Sequence, residues 1–138
     1  MSRPALVRLA VPVADRIAAR EILEAAAGRE VDLLLVVPAE ALARCGAPYY
    51  RALEELLGHT LVMDCGAAPG LVLECLRLGS RELLFRGPRE TRLRLDAIAR
   101  AQGGRVRGRL DRPLLRPAMR IPLAQRLERA LLRAAGTG

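Results

Sequence analysis

The chain has 138 residues, enough for one domain but not for two full-sized ones, and its 51% apolar content excludes a disordered chain. All 23 basic residues are Arg, against 15 acids, for a net charge of +8. Lys, Trp and Asn are absent, and Tyr49, Tyr50 and Phe85 are the only aromatics. Lack of Lys excludes a Walker A phosphate loop, and three Cys with one His exclude both a disulfide framework and a zinc site.

Strand-length apolar runs alternate with helical patterns. The first run, Ala5–Val13, is closed by Ala14-Asp15, and Asp15 caps a helix from Arg16 to Ala27 that Gly28 ends. The continuous apolar run Val31–Val37 reads as a strand covered on both faces, and Pro38 stops it. A short helical turn, Ala39–Arg44, leads to Gly46, and Pro48 opens a second helix, Tyr49–Leu57, ended by Gly58. The third strand is Thr60–Asp64, followed by the loop Cys65-Gly66-Ala67-Ala68 and a helix from Pro69 to Leu78. The fourth strand is Glu82–Arg86, and the helix Arg89–Ala101 after it carries Leu93, Ala97, Ile98 and Ala101 along one side. A fifth strand follows at Arg105–Leu110. The segment Asp111–Ile121 carries Pro113 and Pro117, and the last helix, Leu123–Ala135, has the apolar stripe Leu123, Leu127 and Leu131.

This order predicts an α/β domain over residues 1–110, with 111–138 as a Pro/Arg-rich segment and an amphipathic helix packed on the same domain or on a partner. The expected architecture is an open five-stranded, mainly parallel sheet of flavodoxin-like (βα)5 type, with strand order 2-1-3-4-5; a half-barrel is the alternative. The N-terminal apolar run is too short for a membrane span and lacks a signal-type cleavage region, so a soluble, cytoplasmic protein is expected.

In the expected order a site lies beyond the C-terminal strand ends, between strands 1 and 3. The loop Asp64–Gly70 places an acid, a thiol and two glycines before a helix N-terminus, whose free N–H groups suit an anion. Asp64, Cys65 and Asp15 are the catalytic candidates, and Asp64, Gly66, Gly70 and Arg86 the ligand-binding ones. The structural alternative makes Asp64 a cap, Cys65 a small buried hydrophobe, the glycines turn formers and Arg86 the ion-pair partner of Asp64 or Glu90. His59 starts the third strand, roughly 20 Å from Cys65 at about 3.3 Å per residue, too far to activate that thiol. With Asp15 and Asp64 after strands 1 and 3, and Pro69-Gly70 beyond, the pattern resembles a response-regulator receiver domain. It departs from that family in having one acid after strand 1, Arg86-Gly87 at the end of strand 4 and no Lys. The likeness is architectural, and neither phosphorylation, a metal nor a cofactor is expected.

The charge is uneven. Residues 1–85 carry 9 Arg and 11 acids, whereas residues 86–138 carry 14 Arg and 4 acids. On a strand Arg105, Arg107 and Arg109 share one face, which cannot be packed under a helix without heavy desolvation. That segment is therefore either an open-edge strand or not a strand, and Arg112, Arg116 and Arg120 extend its positive surface. Two classes of function follow. One is a binding or interaction module that recognises an anionic small molecule or acidic protein surface, with a homodimer as a further arrangement. The other is a small or degenerate enzyme acting at Asp15, Asp64, Cys65 and Arg86. Nonspecific nucleic-acid binding is third, since the region has no aromatics for base stacking. A solvated Arg-rich edge, shaped by a GC-rich coding bias, is the plain alternative.

Overall fold

The computed structural model describes residues 6–116 and 122–136. They form β1 (Val7–Pro12), α1 (Arg16–Ala26), β2 (Val31–Val37), α2 (Ala39–Cys45), α3 (Ala47–Leu57), β3 (Leu61–Asp64), α4 (Pro69–Arg77), β4 (Glu82–Leu84), α5 (Arg89–Ala101), β5 (Arg105–Arg107) and α6 (Leu123–Gly136). The sheet is open, five-stranded and all-parallel, an α/β architecture as expected. Local chemistry sets the element ends as expected. Asp15 accepts the Ala18 N–H at 2.8 Å as the cap of α1, and Gly58 closes α3 in the left-handed region at φ 63°.

The strand order is β1-β2-β3-β4-β5, not 2-1-3-4-5. Each crossover therefore steps to the neighbouring position in the same direction, and one handedness of crossover puts every helix on one face. No strand-order reversal exists, so the sheet has no switch-point crevice between β1 and β3. The same fact separates the fold from receiver domains, whose order does reverse.

Strand side chains sort accordingly. Val11, Leu35, Met63, Leu83 and Val106 face the helices and share one core with Ile22, Leu42, Leu53, Val72, Leu95 and Leu127, drawn from all parts of the helical layer. The alternate positions Ala10, Val36, Val62 and Leu84 form a separate small cluster with Leu34 and Leu110, to which no helix contributes. In α5 the buried residues are Leu95 and Ala99, so Leu93 and Ile98 of the expected apolar stripe face outward instead. The reason is β5, which α5 must meet through Asp96: its carboxylate accepts the Val106 N–H at 2.8 Å.

The face without helices is crossed by the chain after β5. Leu110 joins its apolar cluster, and Pro113 and Leu115 then bond to both sides of Ala10 in β1, Ala10 N to Pro113 O at 2.9 Å and Leu115 N to Ala10 O at 2.7 Å. Arg112 anchors this strap. Its side chain is 6% exposed and meets the Asp32 carbonyl at 2.9 Å, the Asp32 carboxylate at 3.0 Å and Asp111 at 2.8 Å. Asp111 in turn pairs with Arg8 of β1 at 2.7 Å and Arg107 of β5 at 3.3 Å, tying the first strand to the last. Helix α6 packs on α1 and β1, with Leu127 and Leu131 buried in the main core. Pro117, Arg120 and Ile121 lie outside the described residues.

Arg112→Ala removes several charge-assisted bonds from a covered site and is expected to cost about 2 kcal/mol. Leu127→Ala leaves a cavity where α6 meets the core and is expected to cost about 3 kcal/mol. Urea unfolding of both variants checks these values. Wild-type stability in Leu127→Ala would mean that α6 is not part of the folded unit.

Candidate functional site

Asp64 ends β3, at the C-terminal strand edge, and is 8% exposed. Its Oδ1 accepts the Gly66 N–H at 3.0 Å and its Oδ2 meets Arg86 Nη2 at 3.1 Å. The Arg86 N–H donates to the Gly66 carbonyl, at 2.6 Å. Asp64, Gly66 and Arg86 thus come together but close on one another, the arrangement of a loop-locking ion pair. Gly66 needs φ +57° for this turn, which explains the glycine. Gly70 lies inside the first turn of α4.

The other candidates at this edge are also occupied. Asp15 stands two strands from Asp64, about 10 Å at normal strand spacing, and its carboxylate caps α1. Cys65 is buried on the helix side, against Cys75. The hydrogen bond with Cys75, then burial, then the nearby Asp64 charge push the Cys65 thiol far above the ordinary thiol range. A thiolate nucleophile at Cys65 is therefore disfavoured by its surroundings. His59 points Nδ1 at the Thr60 carbonyl, 2.9 Å away, at the opposite end of β3.

The second candidate region, the Arg-rich edge, divides into two sets. Arg112 is locked into the strap and is not available as a partner surface, because the chain turns back across the open face as soon as it leaves β5. Arg107 is shared, paired with Asp111 at 3.3 Å and with Glu82 at 3.8 Å. Arg105 and Arg109 are exposed and have no acidic partner among the described residues. Together with Arg107 they line a concavity of about 710 Å³ whose other wall is Arg92, Asp96 and Arg100 of α5. Arg116 is exposed beyond Leu115 and does not line it.

Arg92 and Arg100 were not legible as site residues, since both fall within an ordinary helical pattern. Only the packing of α5 on β5 turns them toward Arg105. The local signal was Gly108: a Cβ there would come within 3.2 Å of Arg92 Nε, so the glycine leaves room for that guanidinium. Arg92 makes no close ion pair among the described residues, although its charge acts on Asp96, whereas Arg100 is bonded to Asp96 at 2.7 Å. Among the described residues no three His, Cys, Asp or Glu side chains are placed to hold a metal ion, and no helix is long and apolar enough to cross a membrane.

Two acids at the groove are held below the ordinary carboxylate range. Burial works against ionisation of Asp96, but the Val106 N–H and Arg100 outweigh it. The Arg112 hydrogen bond depresses Asp111, with Arg8 adding to it. A depressed folded pKa gives stability that is complete above the unfolded value, about 3.9, and is lost as pH falls through the folded one. The thermal midpoint should therefore fall as pH drops below about 4, and Asp96→Asn should flatten that fall. In the native protein a thiol reagent should modify exposed Cys45 alone, with Cys65 and Cys75 reacting only on unfolding. Fast modification of Cys65 would reopen it as a nucleophile. No protein-family model matches the chain, and no curated protein sequence is similar to it.

Proposed function

We propose that this protein is a noncatalytic binding module whose Arg-lined groove beside β5 takes an anionic partner, best an acidic polypeptide segment. The observation that carries this reading is the meeting of Arg92, Arg105 and Arg109, none in a close ion pair among the described residues, around one concavity of about 710 Å³ whose two acids, Asp96 and Asp111, are already bonded to Arg100 and to Arg107 and Arg112. Like charges held together repel, so such a groove is stabilised by the arrival of negative charge. Guanidinium groups match carboxylates as two-pronged donors.

Nucleic acid is the weaker partner for this groove. Its lining includes no aromatic side chain, and bases bind single-strand readers largely by stacking. The enzyme reading at the C-terminal edge has less support, because Asp64 and Arg86 satisfy each other and Cys65 is buried.

The test is fluorescence anisotropy with a labelled poly-glutamate peptide and a labelled oligothymidylate, over a series of salt concentrations. Poly-glutamate should bind with a Kd that rises steeply with salt. The charge reversal Arg105→Glu with Arg109→Glu should weaken binding at least about tenfold. Reversal of Arg129 and Arg133 on α6 serves as the control and should change it little. Equal weakening by both pairs would mean diffuse attraction without a groove. Tighter binding of the oligonucleotide would transfer the proposal to nucleic acid, and no binding at low salt would end it.

A further inference from the structure

We propose that the outward face of α5 is a docking track for an acidic amphipathic helix of a partner protein, whose apolar side lies on α5 and whose carboxylates meet the flanking arginines. This deepens the reading of the β5 groove and rests on it for the acidic nature of the partner, since α5 is also one wall of that groove.

The pointer is an apolar stripe that the core does not use. Leu93, Ala97, Ile98 and Ala101 are spaced as one side of a helix, and such a side normally packs inward. In α5 the core takes Leu95 and Ala99 instead. All four stripe residues are exposed, Leu93 at 48% and Ile98 at 43%. Leu73, on the helix α4 that packs beside α5, is 45% exposed as well. Single exposed apolar residues are ordinary, but a contiguous row bordered by charge marks an interaction surface.

The charges beside the row choose the occupant. At about 3.6 residues per turn, Leu93, Ala97 and Ala101 stack along one line roughly 12 Å long, two turns of a partner helix. By the same spacing Arg89, Arg92 and Arg100 share one flank of that line, and Arg92 and Arg100 line the β5 groove. Arg94 lies on the other flank. Arg89 and Arg94 are exposed and make no close ion pair among the described residues. Of the two acids of α5, Asp96 is held by Arg100 and by the Val106 N–H, which leaves Glu90. An apolar row between basic flanks is the complement of a helix whose apolar row runs between acidic flanks. A second copy of this chain fits less well, because a symmetric pair of α5 helices sets four arginines against four. A lipid surface fits less well too, because the row ends in two alanines and lacks the bulky residues by which surface helices enter a bilayer.

Fluorescence anisotropy of the whole protein with three labelled peptides of equal length tests this. One is a designed helix with Leu at alternating third and fourth positions and Glu between, one has the same composition with that spacing scrambled, and one is poly-glutamate. The designed helix should bind at least about tenfold tighter than its scramble. Leu93→Gln with Ala97→Gln should abolish that difference and leave poly-glutamate binding as in the wild type. Both substitutions are on the surface and keep the charge, and the thermal midpoint reports folding of the variant. Equal binding of helix and scramble overturns the inference and leaves the groove reading standing. Helix binding that depends on Leu93 but not on Arg105 or Arg109, with no binding of poly-glutamate, ends the groove reading and keeps the α5 track. No binding of any peptide ends both. A wild type that sediments as a dimer while the Leu93→Gln, Ala97→Gln variant sediments as a monomer would give the face to a second copy and overturn the inference. So would binding of the wild type to phosphatidylcholine–phosphatidylserine vesicles that this variant loses.

Discussion

A sheet whose strands lie in sequence order has one consequence that governs this molecule. With every crossover stepping the same way, all helices fall on one side and the other side of the sheet is left to find its own cover. Doubly wound sheets solve this by reversing direction midway, which places helices on both faces and opens a crevice where the reversal occurs. Here there is no reversal and no such crevice. The chain itself returns over the bare face after β5, and Ala10, Val36, Val62 and Leu84 are covered without any helix.

That return explains why charged residues sit where a core would otherwise be. The strap has few apolar side chains, Leu110 and Leu115 among them, and relies on an ion network instead. Asp111 is the junction, touching Arg8, Arg107 and Arg112 and so linking the first strand, the last strand and the strap. Surface ion pairs contribute little singly, but a connected set around a covered guanidinium such as Arg112 fixes the path of the backbone. Two backbone bonds to Ala10 finish the closure and occupy the outer edge of β1. At the opposite edge, Asp96 takes the outward N–H of Val106, so the short β5 is shielded as well.

The excess of Arg in the C-terminal third is therefore two populations with different physics. Arg107 and Arg112 hold the fold together through Asp32, Glu82 and Asp111. Arg92, Arg105 and Arg109 make no such close pairs among the described residues and give the groove its excess of positive charge over Asp96 and Asp111. The C-terminal strand edge is the reverse case: its acid, its glycine and its Arg86 neutralise one another in one turn.

The sequence by itself determined the elements, because these depend on neighbours along the chain. The run Val31–Val37 matches β2 residue for residue, Arg89–Ala101 matches α5, and the cap at Asp15 and the stop at Gly58 sit where local chemistry puts them. It also determined that Arg105 and Arg107 share the face away from the helices, since side chains alternate on any strand. Tertiary structure alone decided strand order, which depends on the direction of each crossover and leaves no trace in a strand's own residues. From that order came the loss of the switch-point site, the outward turn of Leu93 and Ile98, the locking of Arg112 and the meeting of Arg92 with Arg105. Each of these joins residues far apart in the chain, and periodicity and spacing carry information only about residues that are close.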